Sequence, residues 1–299
     1  MSAPVSFKTW VAGARPKTLP AAVVPVLVGT AAAADGDLGN GQGIILWRFV
    51  LAMVVSLALQ VGVNYANDYS DGVRGTDDDR VGPQRLVGSG LVNPHAVKAA
   101  AFACFGAAAV AGLFLAAATS WWLVVVGAAS IVAAWFYTGG PNPYGYIGLG
   151  ELFVFVFFGL VATVGSTYVQ TERVDGWPVL VAVPVGMLAM ALLITNNLRD
   201  IPTDADAGKR TLAVRLGDHR TRYLYAGTLL SAFVLVVVVA VGWRLPAVIG
   251  LAGAAAAVRP LRAVLAGVIG KALVAVLVDT GRVQLLLGVG LAAGLWLGS

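Results

Sequence analysis

The chain has 299 residues, of which 59% are hydrophobic and only 12% charged, with a mean hydropathy of +0.83. That balance excludes a water-soluble globule and points to a polytopic membrane protein that meets the lipid bilayer along most of its surface. The net charge of +5 sits in the loops between apolar runs, so it marks topology rather than a nucleic-acid footprint.

Crossing about 30 Å of hydrocarbon takes about 20 apolar residues. Such windows fall near 20 to 35, 45 to 66, 97 to 118, 120 to 138, 148 to 169, 178 to 198, 222 to 242, 245 to 259 and 282 to 298. The pattern predicts an all-α bundle of nine transmembrane helices, one domain over residues 1–299. Pro260 to Asp279 is apolar but holds Arg262 and Lys271. It reads as a helix lying in the interface, with a tenth span as the rival. With the N-terminus in the cytoplasm, all of the 20 Lys and Arg except Arg48, Arg173 and Arg244 fall on the cytoplasmic side, as the positive-inside rule asks.

Residues 1 to 19 are a polar lead in which Arg15 and Lys17 stand at the mouth of the first span, as snorkelling anchors or functional groups. Basic residues before an apolar run ending Ala31 to Ala34 imitate a signal peptide. Pro16, Pro20 and Pro25 make an unusual core for one, and retention is expected. The second span turns polar at its end, where Gln60, Asn64, Asn67 and Asp68 come within about two turns. The loop to Lys98 mixes five Asp with Arg74, Arg80 and Arg85. It reads as a lid whose acids hold metal and whose bases meet phosphate, against the plainer alternative of a solvated loop. Spans three and four are rich in small residues that allow close helix approach. His95 has no second His near it and reads as a surface residue, and Cys104, the single cysteine, has no partner for a disulfide.

The following loop carries Tyr137, Tyr144 and Tyr146 among Pro and Gly. These are either interfacial belt aromatics or a wall around a cationic intermediate, and Glu151 just after them is an interfacial charge or a supporting group. Span six runs into Asp200, Pro202 and Asp204. Proline removes a backbone donor and restrains the residue before it, so a kink between the two Asp is expected. The last three spans, as windowed, carry no ionisable residue in their interiors and read as wall.

Two stretches repeat. Asn64 to Arg80 and Asn196 to Arg210 each end an apolar run and each open with an Asn followed four residues later by an Asp, Asn64 with Asp68 and Asn196 with Asp200. Further acids follow, Asp71 and Asp77 to Asp79 in the first, Asp204 and Asp206 in the second. Helical spacing puts Asn64, Asp68 and Asp71 on one stripe. The stretches are four crossings apart, so they emerge on one side of the membrane, as in a pseudo-repeated bundle around one cavity. Hard oxygen donors without a Cys or His cluster suit Mg²⁺, which takes one or two carboxylates and completes its shell with water and substrate phosphates. Two such stretches would grip a diphosphate, helped by Arg74, Arg80, Arg85, Lys209 and Arg210.

The paired stretches resemble the Asp-rich motifs of the UbiA superfamily of intramembrane aromatic prenyltransferases. NDYSDGVRGTDDDRVGPQRLVGSG and NNLRDIPTDADAGKRTLAVRLG, with YGYIGLGE between them, look like the branch that prenylates 1,4-dihydroxy-2-naphthoate in menaquinone synthesis. The resemblance implies a nine-helix bundle in a bacterial plasma membrane, with its cavity open to the cytoplasm, Mg²⁺ and a polyprenyl diphosphate donor. It implies Asn64, Asp68, Asp71, Asn196, Asp200 and Asp204 as metal ligands, with Asp68, Asp71, Asp200 and Asp204 catalytic; which of Asp77, Asp78 and Asp79 takes part stays open. An aromatic acceptor with a carboxylate needs a cation, Arg15 or Arg215, with Tyr137 and Tyr144 nearby. The alternatives are 4-hydroxybenzoate or homogentisate as acceptor and, from another class, a secondary transporter. Asp clusters backed by Arg and Lys favour a metal–diphosphate substrate over a permeating ion.

Overall fold

The computed structural model describes residues 5–34, 43–76 and 85–299, and every regular element among them is helical. In chain order these are α1 (Phe7–Gly13), α2 (Pro20–Ala32), α3 (Leu46–Val73), α4 (Pro94–Ala118), α5 (Trp122–Phe136), α6 (Gly150–Thr171), α7 (Gly176–Asp206), α8 (Leu212–Gly242), α9 (Leu245–Leu265) and α10 (Ala272–Leu297). Seven of them, α3, α4 and α6 to α10, are long and apolar enough to cross a membrane, and α2 and α5 are shorter apolar helices. Local signals start several. Pro94 opens α4 behind Asn93, whose side chain accepts from the His95 amide at 2.9 Å, and the Thr211 side chain caps α8 at Val214.

A large apolar core joins α2, α7, α8 and α10, where Val24, Val28, Val185, Leu188, Ile194, Leu229, Val236, Leu287 and Leu291 are fully buried. Against lipid, apolar surface alone does not drive helices together, so close backbone approach must do it. At the crossing of α6 and α7, a Cβ on Gly159 would sit 2.5 Å from the Gly186 Cα, so only glycine allows that contact. The crossing falls in a π-helical stretch of α6, Phe155–Val161, of the kind often found at functional sites. Arginines close helix ends elsewhere: Arg48 donates to the carbonyls of Val169 (2.8 Å) and Ala118 (3.1 Å), and Arg222 to those of Val264 (2.7 Å) and Val268 (3.0 Å). Helix C-terminal carbonyls lack partners of their own, which is what these guanidinium groups supply.

Two expectations fail. The segment from Pro260 to Asp279 is not one interfacial helix: its first part ends α9, a turn follows, and α10 begins at Ala272. Gly267 and Gly270 take φ of 83° and 57° in that turn, a conformation glycine adopts without steric cost. The final helix thus begins well before residue 282 and includes Asp279, which pairs with Arg282 at 2.9 Å and Arg259 at 3.4 Å; the last spans are not free of charge. The helix α7 runs through Pro202 to Asp206. Pro202 forfeits one backbone bond near the helix end, while Thr203 Oγ1 donates to the Asp200 carbonyl at 3.1 Å, and Asp200 and Asp204 remain one turn apart on a single helix.

Candidate active site

A cavity of about 730 Å³ runs through the bundle among α2 to α7. Most of its wall is apolar, including Ala52, Val55, Leu123, Phe157 and Val161, and one end is polar, formed by Arg15, Lys17, Asn64, Asn67, Asp68, Arg85, Asn196 and Arg199. The first Asp-rich stretch supplies one side because α3 continues past the apolar run, carrying Gln60, Asn64, Asp68 and Asp71 into the buried interior. Asn64 Nδ2 donates to the Ala14 carbonyl at 2.9 Å and to Thr18 Oγ1 at 3.3 Å, while an Arg15 amine donates to the Asn64 carbonyl at 3.4 Å. The Asp68 carboxylate accepts the backbone amides of Leu86 and Val87, each at 2.9 Å. The segment after the first stretch is thereby tied back onto the helix that carries it.

The predicted stripe divides. Asn64 and Asp68 line the cavity, whereas Asp71, one turn on, belongs to a second cluster next to it. There Tyr146 donates its hydroxyl to Asp71 Oδ1 at 2.6 Å, and Lys209 Nζ lies 3.2 Å from the same oxygen and 3.8 Å from Asp204 Oδ1. Lys209 therefore joins the two stretches directly, and its ammonium also lies 4.7 Å from the Tyr146 ring centroid. Burial pulls the Lys209 pKa down, but Asp71, Tyr146 and Asp204 outweigh it and leave it above the usual lysine value; burial first and Asp71 second push the Tyr146 hydroxyl up. Both groups keep their protons at neutral pH.

Asp200 is held otherwise. Arg199 Nε and an Arg199 amine reach its two oxygens at 2.7 Å each, and the amine also donates to Asn196 Oδ1 at 2.6 Å. Arg199 is buried and lines the cavity. The sequence reading gave it no role, although its place between Asn196 and Asp200 was the available signal.

The remaining predicted residues scatter. Arg74 donates to the carbonyls of Thr138 and Gly140 and lies 5.4 Å from the Tyr146 ring centroid. Arg85 is buried against the cavity. Arg80 and Asp77 to Asp79 lie outside the described residues. Arg210 is exposed and donates its amide to the Tyr146 carbonyl at 2.7 Å. Of the two acceptor-site arginines, Arg15 lines the cavity, while Arg215 is exposed outside it, its Nε on the Arg210 carbonyl at 3.1 Å. Tyr137 and Tyr144 line the cavity with Phe153, with ring centroids 5.5 Å apart for Tyr137 and Tyr144 and 4.0 Å for Tyr144 and Phe153. Burial raises the Tyr144 hydroxyl pKa above its usual value. Glu151 is buried and accepts from Asn197 Nδ2 at 2.9 Å, so it supports α7 from α6 and is no interfacial charge.

No three Asp, Glu, His or Cys side chains converge among the described residues. The donor set still fits Mg²⁺: Asp71 and Asp204, hard oxygen donors from different stretches, already meet around one cationic atom, and Mg²⁺ needs only one or two carboxylates when phosphates and water complete its shell.

The sequence pattern of the UbiA prenyltransferase family matches residues 22–267. A 1,4-dihydroxy-2-naphthoate octaprenyltransferase of Mycobacterium tuberculosis is 52% identical over 295 residues, covering 98% of each chain, and one of Haemophilus influenzae is 40% identical, covering 77% of this chain and 75% of its own. Among solved structures, an apo UbiA homolog from Aeropyrum pernix K1 superimposes with a TM-score of 0.67 at 15% identity, covering 93% of this chain and 96% of the other. A UbiA homolog from Archaeoglobus fulgidus bound to DMAPP and Mg²⁺ superimposes with 0.61 at 14% identity, covering 95% and 99%. With the fold and most of the sequence in agreement, this chain belongs to the UbiA prenyltransferase family.

Proposed function

We propose that this protein joins the polyprenyl group of a polyprenyl diphosphate to 1,4-dihydroxy-2-naphthoate, with loss of diphosphate and CO₂, giving demethylmenaquinol. The observation that carries this reading is the meeting of the two Asp-rich stretches through Lys209 beside the polar end of a long apolar cavity. Such a site can hold a diphosphate at one end and a hydrocarbon tail along the rest. The names of the relatives over nearly the whole chain support the acceptor.

In this reading the protein crosses a bacterial plasma membrane nine times, the seven long helices joined by α2 and α5, and opens its cavity to the cytoplasm. Mg²⁺ would be held by Asp71 and Asp204, with Asn64, Asp68, Asn196 and Asp200 as the matching positions. When bound, it supplies positive charge to the departing diphosphate. Arg85 and Arg199, with Lys209 and Arg74, add positive charge for the same oxygens.

The allylic C–O bond breaks with its electron pair going to the diphosphate. The allylic cation left behind faces Tyr137, Tyr144, Phe153 and Phe157, whose rings stabilise positive charge and exclude water. The ring carbon bearing the carboxylate attacks it, a C–C bond forms, and the bond to the carboxylate breaks with its electrons returning to the ring, so CO₂ leaves and aromaticity is restored. Arg15 holds that carboxylate beforehand.

The test is an assay of the purified full chain in detergent or nanodiscs, offering 1,4-dihydroxy-2-naphthoate, 4-hydroxybenzoate and homogentisate in turn with a long polyprenyl diphosphate and Mg²⁺. Prenylated naphthoquinol and one CO₂ per turnover are expected. Preference for either of the other acceptors would overturn the assignment.

A further inference from the structure

Lys209 occupies the place where a cation shared by the two stretches would sit. Its side chain is buried, its Nζ lies 3.2 Å from Asp71 and 3.8 Å from Asp204, and Tyr146 closes the cluster by donating to the same Asp71 oxygen. A lysine that only awaited a diphosphate would have no need to be buried between two carboxylates from opposite halves of the chain. Two carboxylates brought to one place, Asp71 buried and Asp204 half-buried, repel each other, and the ammonium between them offsets that repulsion.

We propose that Lys209 is a displaceable counter-cation, a positioning residue that holds Asp71 and Asp204 around one cation in the substrate-free enzyme. On loading it yields this place and moves its ammonium to the diphosphate. The inference rests on the reading of Asp71 and Asp204 as metal ligands. Its consequence is an order: metal alone competes with the lysine and binds weakly. Metal arriving with a diphosphate gives the displaced ammonium a new partner and binds well. The side chain can make that move alone, since a lysine stem is four flexible carbons long, while the Lys209 amide stays on the Asp204 carbonyl at 2.8 Å in the turn between α7 and α8.

The test measures Mn²⁺ binding to the purified full chain by electron paramagnetic resonance, with and without inorganic pyrophosphate, independent of turnover. In the parent protein Mn²⁺ alone should bind weakly and pyrophosphate should tighten it. In Lys209→Met, Mn²⁺ alone should bind at least about tenfold tighter, because its competitor is gone, and pyrophosphate should help much less. Lys209→Arg keeps the charge and should restore the parent pattern; Lys209→Gln serves if the methionine variant does not fold. Metal-only affinity that is unchanged or lower in the neutral variants would overturn the proposal and leave Lys209 a fixed ligand. Failure of the underlying assignment reads differently: Mn²⁺ binding, with or without pyrophosphate, would then survive Asp71→Asn and Asp204→Asn.

Discussion

Arg15 holds a left-handed backbone at φ 54°, a conformation that non-glycine residues adopt at a cost of about 1–3 kcal/mol when the surroundings enforce it. What enforces it is local. The Arg15 carbonyl accepts both the amide and the hydroxyl of Thr18, at 2.9 Å each, while that hydroxyl is also reached by Gln60 at 3.1 Å and Asn64 at 3.3 Å. The lead into α2 is thus pinned to α3, with the Arg15 side chain at the polar end of the cavity. A charge-assisted hydrogen bond contributes about 1.5–3 kcal/mol, so Arg15→Ala should raise the KM for the naphthoate roughly tenfold to a hundredfold and change the donor KM little. Arg215→Ala should leave both within about twofold, since that side chain lies outside the cavity. Steady-state kinetics with each substrate varied separately decides it, and equal effects of Arg15→Ala on both KM values would move Arg15 to the diphosphate.

At the scale of helices, the α6–α7 crossing sets how the second Asp-rich stretch is presented, because the π-helical turn and Glu151 both belong to α6 and both face α7. A Cβ on Gly186 would meet the Gly159 Cα and the Phe155 ring at 2.9 Å and the Phe155 carbonyl at 3.0 Å. None of these backbone atoms can yield cheaply. Overpacking of this kind costs about 1–3 kcal/mol, so Gly186→Val should lower the thermal midpoint in detergent by several degrees. Gly165→Ala, whose Cβ would meet nothing within 4 Å, should melt with the parent protein; matching midpoints for all three would remove the crossing as a determinant. The helices themselves were legible because lipid exposure writes hydrophobicity directly into the chain. The turn at Gly267 and Gly270 was not, because a hydropathy window registers how apolar Pro260 to Asp279 is and not which of its residues can reverse the chain. The site was half legible for a similar reason. Asn64 and Asp68 share a helical stripe that spacing alone reveals, but Asp71 turning to Lys209 is a contact between residues 138 apart in sequence, and Arg199 looked like one more cytoplasmic charge until its two hydrogen bonds to Asp200 were visible.

For the molecule as a whole, charge is sorted between two ends of one bundle. Arg48 and Asp71 stand near opposite ends of α3, about 35 Å apart at 1.5 Å per residue, which matches the hydrocarbon thickness of about 30 Å with its margins. Arg48 shares its end with the C-termini of α4 and α6 and with Glu172. Asp71 shares the other with Arg74, Lys209, Asp204 and Tyr146. The basic residues crowd the second end, and the positive-inside rule predicts that this end is the cytoplasmic one. In the proposed topology α2 and α5 cross as well as the seven long helices, which makes the number of crossings odd. The two chain ends are then predicted on opposite sides, the N-terminus in the cytoplasm and the C-terminus outside. Reporter fusions at Ser2 and Ser299 measure this: a cytoplasm-active reporter should work only at Ser2 and an export-dependent one only at Ser299. Both ends reporting the same side would mean that one short helix fails to cross. Accessibility of single cysteines introduced beside Trp122 and Pro20, in a Cys104→Ser background, would then identify it as α5 or α2.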